Sequence, residues 1–177
     1  MKNVPKNASE RAFQENFVNE LKKYKWHSPD SLNGNIKKVT VNDLINHWRS
    51  ELNRINADQL EGVPLTDNEF KQVMAKVNLI SNSFEAAKVL SMEGNKGKID
   101  GIFRDDHPDI TRKQITLTIL KKAEVSGGDS SYRIAREVET DKGNRFDLVL
   151  LINGLPLINI EQKRTDKSLD EAFGQLI

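Results

Sequence analysis

Two apolar segments separated by Asn153-Gly154 constrain the fold more than any other feature of the sequence. Residues 146–152 (FDLVLLI) and 156–162 (PLINIEQ) are rich in apolar and β-branched residues, which favour β-strands. Asn-Gly is the dipeptide that tight hairpin turns prefer, because both residues tolerate a positive φ. We therefore predict a β-hairpin. Apolar residues fall on both alternating faces, which is typical of interior strands covered on two sides.

Asp147 is the unexpected residue of the first strand. It precedes five consecutive apolar residues, and a carboxylate in such a strand is costly unless it is paired or binds a metal. If the hairpin loop has three residues centred on Gly154, Asp147 lies opposite Glu161, since both are seven residues from Gly154. A two-residue turn shifts this pairing by one residue, and a β-bulge restores it. Opposed residues have Cβ atoms about 5 Å apart, close enough for two carboxylates to share a cation.

A lysine follows on the second strand. Lys163 is two residues beyond Glu161, so its side chain projects from the same face of the strand. Two carboxylates suit Mg²⁺ or Mn²⁺, and the backbone carbonyl of Gln162 would add a further oxygen ligand. Such an ion holds a phosphodiester oxygen and lowers the pKa of an attacking water, while Lys163 neutralises charge in the transition state. A salt bridge at a strand end fits the same spacing, and spacing alone does not separate the two interpretations.

The remaining sequence predicts a helical N-terminal part, residues 8–92, and a β-rich core, residues 98–177, of one α/β domain. Helical spacing of apolar residues predicts helices over 8–24, 41–55, the segment from Thr66 to Val77, and 83–90. Glu69 stands three residues after Thr66, which is the capping-box pattern of a helix start. Further strands are expected at 99–103, 114–121 and 132–138.

Composition excludes several classes of protein. The chain carries 27 basic and 26 acidic residues, a formal net charge of +1, so it is not a polybasic nucleic-acid binder. With no cysteine, disulfides and thiolate metal sites are excluded. No apolar run approaches the roughly 18 residues of a membrane span, and no secretory signal is visible, so we expect a cytoplasmic protein. MEGNKGK, at residues 92–98, lacks the spacing of a phosphate-binding loop, and no ATP site is visible.

Residues 143–164, GNRFDLVLLINGLPLINIEQKR, closely resemble the restriction-nuclease core of the R subunits (HsdR) of type I restriction-modification enzymes. In that family a strand ending in NGLPL leads into an E-x-K strand, within the PD-(D/E)xK superfamily. LEGVPLTDNEF at Leu60–Phe70 and KIDGIFRDD at Lys98–Asp106 look like further segments of the same region. SLDEAFGQLI, at residues 168–177, resembles the start of a helix that carries a Q-x-x-x-Y motif, with Gln175 at the Gln position.

The resemblance implies a restriction-endonuclease-like core, a mixed β-sheet flanked by helices, with a helical insert at residues 36–90. It implies that Asp147 and Glu161 bind Mg²⁺ or Mn²⁺ and that Lys163 is the catalytic lysine. Double-stranded DNA is the implied substrate, and methylation and specificity subunits are the implied partners. It further implies that the chain is an N-terminal fragment of a much longer subunit, whose ATP-driven motor lies outside residues 1–177.

Other positions of the motif are less well defined. An acidic residue of the first helix often joins such sites; Glu15 and Glu10 are candidates, the nearby matching position is Gln14, and a solvated helix face explains either glutamate equally well. Three basic residues form a small group that would contact a phosphate: Lys163, Arg164 and Lys167.

Two residues depart from the family pattern: Phe146 replaces the proline of the superfamily name, and Gln162 replaces the usual apolar residue between Glu and Lys. Gln162 and the near-neutral net charge favour a second hypothesis, in which the isolated chain is a catalytically silent DNA-binding or subunit-docking module.

Three isolated residues have simpler explanations than a functional site. His107 lies among three aspartates in RDDHPD, which is typical of a solvated acidic turn rather than a metal site. Trp26 and Trp48 would stack on nucleic-acid bases in a binding protein, but they fall where helix faces need core anchors.

Overall fold

A computed structural model of the chain describes residues 6–90, 97–120 and 130–162, with side chains from residue 11 onward. These residues form four α-helices, α1 (Lys6–Lys22), α2 (Val41–Ile55), α3 (Asp67–Asn78) and α4 (Ser83–Leu90). They form six strands, β1 (Val39–Thr40), β2 (Lys98–Phe103), β3 (Gln114–Thr118), β4 (Tyr132–Glu139), β5 (Arg145–Ile152) and β6 (Leu155–Ile160). The helices and strands predicted within these ranges are confirmed, apart from differences of a few residues at their ends, and the helix expected from residue 168 lies outside the described residues. No helix in these ranges is both long enough and apolar enough to cross a membrane.

The chain divides into two compact units. Met1–Ile45 and Ser131–Ile177 form the first, and Asn46–Ser130 forms the second. The boundary between them falls inside α2 rather than between the helical and the β-rich parts of the sequence. That the whole chain acts as a single nuclease domain stays a prediction.

The first unit is built on a four-stranded sheet in the order β1-β4-β5-β6. The short β1 runs parallel to β4, whereas β4, β5 and β6 are antiparallel to their neighbours. The predicted mixed sheet is therefore confirmed. Val18 of α1 packs on one face, against Ile134, Leu148 and Leu150. The opposite face is covered by Leu32, Val39 and Leu44, which pack against Ala135, Val138, Val149 and Leu151.

The β5–β6 hairpin follows the second of the two alternatives that the sequence left open. Ile152 pairs with Leu155, so the turn has two residues, Asn153 and Gly154, and both have the positive φ that a type I′ turn requires. A register shift between Leu150 and Leu151 then restores the pairing that a three-residue loop would have given.

The prediction of two interior strands is right for one strand and wrong for the other. Four consecutive residues of β5, 148–151, are buried, as expected for a strand covered on two faces. Residues 156–159 of β6 are all exposed, because β6 is the outer strand of the sheet within the described residues. Leu157 and Ile158 thus leave apolar side chains at the surface.

The second unit contains α3, α4 and the antiparallel pair β2–β3. The predicted capping box is confirmed, since Thr66 accepts a hydrogen bond from the Glu69 amide and Glu69 accepts one from the Thr66 amide. Glu69 also pairs with Arg104 at 2.9 Å, and both side chains are fully buried. Trp48 is buried against Phe70, with ring centroids 6.1 Å apart, which confirms its core position.

Candidate functional site

A polar pocket of about 250 Å³ lies in the first unit, at the sheet end where β5 begins and β6 ends. Its lining combines two carboxylates, two guanidinium groups and three amides: Glu137, Asp147, Arg11, Arg145, Gln14, Asn35 and Gln162. Opposite charges of equal number meet here, so the pocket suits a ligand that carries both cationic and anionic groups rather than a single strong charge.

An irregularity in β4 brings Glu137 into this pocket. Ile134 and Arg136 lie on the α1 side of the sheet, and Ala135 lies on the other side, as strand alternation requires. Glu137 has φ of 52°, a left-handed conformation that is rare for a non-glycine residue. The alternation therefore slips, so that Glu137 also faces α1 and Val138 returns to the opposite core.

A close approach of the chain holds this irregular strand in place. Gly34 donates its amide to the carbonyl of Arg136 at 2.9 Å. A Cβ at Gly34 would lie only 2.5 Å from the carbonyl oxygen of Glu137, so no other residue fits there without displacing backbone. The next residue, Asn35, lines the pocket. The loop between α1 and β1 is thus part of the site.

Helix α1 is anchored to β4 by a buried arginine. Arg136 donates to the side chain of Gln14 at 2.9 Å and to that of Glu15 at 2.6 Å. Gln14 in turn donates to Glu137 at 3.0 Å, and the remaining oxygen of Glu137 pairs with Arg145 at 2.8 Å. The hydrogen bond from Arg136 holds the pKa of Glu15 below its usual range, and partial burial opposes that effect. A continuous polar network therefore runs from α1 to the pocket wall.

Asp147 is held by the main chain that follows β6. Its Oδ2 accepts the backbone N–H of Gln162 at 2.7 Å. The last pair of the ladder is Leu148 with Ile160, so the predicted pairing of Asp147 with Glu161 lies one residue beyond the paired strands. The hairpin thus brings the backbone of Gln162 to Asp147, and a cation shared by Asp147 and Glu161 stays a prediction. Asp147 and Glu161 are both half-buried.

The predicted site residues are only partly brought together. Asp147 and Gln162 line the pocket, whereas Glu161 is not among its lining residues. Glu15 is engaged by Arg136 and does not line the pocket either, although Gln14 beside it does. The other predicted residues lie outside what the structure describes: Lys163, Arg164, Lys167, Gln175 and the side chain of Glu10.

The cation that the sequence predicts would have to bind through the oxygen atoms of this site. Within the described residues, no three His, Asp or Glu side chains are grouped closely enough to hold a metal ion. The side-chain oxygen of Gln162 is buried and accepts no hydrogen bond within the same residues. Carboxylate, carbonyl and amide oxygens are the ligands that Mg²⁺ and Mn²⁺ prefer. Asp147 and Gln162 carry oxygens of these kinds, and a cation bound by them stays a prediction.

The sequence patterns did not identify four of the residues that line the pocket: Arg11, Asn35, Glu137 and Arg145. Of these, only Arg145 carried a usable signal, because it alternates with Asp147 on one strand and so shares its side of the sheet. Glu137 was hidden by its positive φ, which breaks the alternation on which strand patterns depend.

The simpler explanations for the isolated residues are confirmed. His107 accepts a hydrogen bond from the amide of Asp109 at 3.2 Å in an exposed acidic turn. Trp26 packs against the apolar cluster under α1, with its ring 5.3 Å from that of Tyr132. None of these residues lines the pocket around Asp147.

Comparisons with known proteins agree with the resemblance. Residues 7–177 match the family model described as the type I restriction enzyme R protein N terminus. The chain is 31% identical over 173 residues to the type I restriction enzyme SauCOLORF180P endonuclease subunit of Staphylococcus aureus (strain COL), covering 95% of this chain and 16% of that protein. It is 34% identical over 136 residues to the type I restriction enzyme SsaAORF53P endonuclease subunit of Staphylococcus saprophyticus subsp. saprophyticus, covering 76% of this chain and 13% of that protein. The chain thus spans about an eighth to a sixth of the length of these relatives. It belongs to the family of type I restriction enzyme R protein N termini.

Proposed function

We propose that this chain is the metal-dependent endonuclease domain of a type I restriction enzyme R subunit, and that it hydrolyses phosphodiester bonds of double-stranded DNA. The observation that carries the proposal is the placement of Asp147. A carboxylate that precedes five apolar residues of β5 lines a polar pocket and accepts the backbone N–H of Gln162. The named relatives are endonuclease subunits, which supports a role for this carboxylate in binding the catalytic metal ion.

The arrangement of elements supports a PD-(D/E)xK core. Helix α1 packs on one face of β4 and β5, and the β5–β6 hairpin carries the aspartate on one strand and the E-x-K segment after the other. We infer that β4, β5 and β6 are the three core strands of that fold, with α1 as its first helix. In this assignment the second unit, residues 46–130, contains most of the helical insert.

Asp147, Glu161 and the backbone carbonyl of Gln162 would hold Mg²⁺ or Mn²⁺. The bound ion would neutralise the scissile phosphate and lower the pKa of the attacking water. Lys163 would donate a hydrogen bond to that water or to the phosphate and stabilise the developing negative charge. Arg164 and Lys167 would bind neighbouring phosphates, since each ammonium or guanidinium group neutralises charge along the DNA backbone.

Guanidinium groups on the pocket wall would position the substrate. Arg11 and Arg145 face the same 250 Å³ space as Asp147, and Arg145 is held in place by Glu137 at 2.8 Å. A guanidinium group binds phosphate oxygens with two parallel hydrogen bonds. A phosphate drawn to these arginines therefore lies beside Asp147. Glu137 and Asp147 balance the charge of these two arginines, so the pocket offers phosphate-binding groups without a net positive charge.

The remainder of the enzyme would supply affinity and coupling. We infer that ATP is used by a motor outside these 177 residues, and that methylation and specificity subunits bring the domain to DNA in the cytoplasm. Gln175, if it acts with a tyrosine further along, would help to position the DNA strand. Glu10 would join the site only if its side chain reaches the pocket from the first turns of α1.

A plasmid-nicking assay of the chain with Mg²⁺ or Mn²⁺ tests the proposal. Asp147→Asn and Lys163→Ala should each reduce the nicking rate on the order of a hundredfold or more, because each removes a group that stabilises the transition state. Asp141→Asn is the matched control, since Asp141 is exposed in the turn after β4, and it should cleave as the wild type does. No nicking by any of the four proteins would instead support the silent DNA-binding or docking module.

A further inference from the structure

Glu137 has a backbone conformation that calls for an explanation. Its φ of 52° is rare for a residue with a side chain, because the Cβ atom crowds the main chain. Residues of this kind persist only where the surrounding structure holds them, and they are concentrated at functional sites. Here Gly34 approaches β4 so closely that a Cβ on it would lie 2.5 Å from the carbonyl oxygen of Glu137. The fold therefore maintains a strained conformation at the wall of the pocket.

This conformation decides where the carboxylate of Glu137 lies. In a regular strand Glu137 would face the same side as Ala135, which belongs to the apolar cluster on the other face of the sheet. Instead it faces α1 and lines the pocket. Ladder pairs flank it at positions 136 with 148 and 138 with 146, so Glu137 lies opposite Asp147. Like charges directly opposite each other destabilise a sheet, so a carboxylate in this place needs a cationic partner.

Arg145 is the cationic partner of Glu137. Its Nε lies 2.8 Å from one carboxylate oxygen, and the other oxygen accepts a hydrogen bond from Gln14 at 3.0 Å. Gln14 accepts a hydrogen bond from Arg136, and these two residues are only 5% and 3% exposed. The side chain of Arg145, by contrast, is 62% exposed, and a long exposed side chain without a partner samples many rotamers. Glu137 thus connects an exposed arginine to a buried hydrogen-bond network.

The geometry of this ion pair orients the guanidinium group. Arginine carries five N–H groups in one plane, and the contact with Glu137 is made through Nε. The two terminal nitrogens carry the other four N–H groups, which can form two parallel hydrogen bonds with a phosphate. Fixing the group in one orientation before a ligand arrives lowers the entropy that binding must remove. Arg145 is therefore preorganised beside Asp147, with which it shares the pocket.

We propose that Glu137 is a positioning residue for DNA, which fixes Arg145 so that its guanidinium group binds a backbone phosphate beside Asp147. This inference rests on the proposed function, which supplies the DNA and assigns a phosphate to Arg145. It adds a reason for the strained backbone of Glu137, and it predicts an effect of unusual sign. An acidic residue near a phosphate site repels DNA, so its removal ordinarily strengthens binding. Because Glu137 acts through Arg145, its removal weakens binding instead.

Binding of a fluorescein-labelled DNA duplex to the 177-residue chain, measured by anisotropy over a range of salt concentrations, tests this role. Arg145→Met should weaken binding on the order of tenfold and lower the salt dependence by about one phosphate contact. Glu137→Met should weaken binding severalfold, and Glu137→Gln less, because an amide oxygen still accepts a hydrogen bond from Arg145. Glu139→Met is the matched control, since Glu139 is two residues further along β4 and pairs with Lys38; it should bind as tightly as the wild type or more tightly.

A double variant separates positioning from a general loss of structure. In an Arg145→Met background, Glu137→Met should weaken binding no further, because it acts only through that arginine. A further loss of the same size would overturn the inference, since Glu137 would then support the pocket in another way. Glu137→Met that binds DNA as tightly as the wild type would also overturn it, and nicking that still depends on Asp147 would leave the proposed function standing. If the wild type binds no duplex, the inference and the proposed function fail together.

Discussion

The buried pair of Glu69 and Arg104 offers the sharpest test of the energetics of the second unit. Both side chains have no exposed surface, and their charged groups are 2.9 Å apart. Arg104 also donates to the carbonyls of Leu60 and Val63, at 3.2 and 2.9 Å. It thus connects the loop before α3 to the end of β2. Arg104→Met keeps most of the side-chain volume and removes every one of these hydrogen bonds.

The expected loss of unfolding free energy follows from the groups that Arg104→Met deprives of their partner. Removing one partner of a buried ion pair typically costs about 3–5 kcal/mol, because the other charge stays buried. Glu69 keeps hydrogen bonds from the amides of Asp105 and Thr66, at 2.8 and 3.0 Å, which favours the low end of that range. The carbonyls of Leu60 and Val63 lose their hydrogen-bond donor, which costs roughly 1 kcal/mol each and offsets the stabilisation of Glu69 by these amides. We expect a loss of about 3–5 kcal/mol, a large share of the stability of a small domain.

Urea unfolding monitored by tryptophan fluorescence measures this loss. A Trp26→Phe background leaves Trp48, which packs on Phe70 in the same unit as Arg104, as the reporter. Lys113→Met is the matched control, because Lys113 forms an exposed ion pair with Asp106 and its loss should leave the urea midpoint close to that of the wild type. An Arg104→Met protein that unfolds at the same urea concentration as Lys113→Met would refute the reasoning.

Three further predictions concern the first unit. Gly34→Ala should lose roughly 1–3 kcal/mol, since its Cβ would lie 2.5 Å from the Glu137 carbonyl oxygen; an unchanged urea midpoint would contradict this close approach. Arg136 lowers the pKa of Glu15, so the ionised carboxylate stabilises the fold fully at pH values above 4.5, the ordinary pKa of this group. This contribution is lost as the pH falls through the lowered pKa of the folded protein. The melting temperatures of wild type and Glu15→Gln should therefore differ at pH 7 and converge at low pH, and a pH-independent difference would count against the pair. Asn153→Ala should cost about 1–3 kcal/mol of unfolding free energy, and Asn153→Gly should cost less. Both variants lose the hydrogen bond from the Ser131 amide, but glycine tolerates the φ of 51° at this position. Equal urea midpoints for the two variants would exclude strain in the turn.

Features encoded by neighbouring residues could be predicted from the sequence. The capping box at Thr66, the turn at Asn153-Gly154 and the approach of Asp147 to the segment after β6 depend on residues close together in the chain or in one hairpin. Each has a specific chemical signature, such as a hydroxyl three residues before a carboxylate. The fold class followed from the same local patterns.

The pocket wall could not be predicted, because it depends on contacts between distant segments. Glu137 faces the pocket only because its backbone leaves the β conformation, and Asn35 reaches it only because Gly34 lies directly against β4. Gln14 is placed by a hydrogen bond from Arg136, 122 residues away in sequence. Alternation and helical spacing do not encode such contacts, which is also why β6 was wrongly expected to be interior.

Anomalous scattering from crystals of the chain grown with Mn²⁺ and a short DNA duplex tests the central claim most directly. The account predicts a peak at coordination distance, roughly 2–2.5 Å, from a carboxylate oxygen of Asp147, inside the pocket lined by Gln162. A pocket without a peak, while Mn²⁺ and DNA are bound elsewhere on the chain, would contradict it.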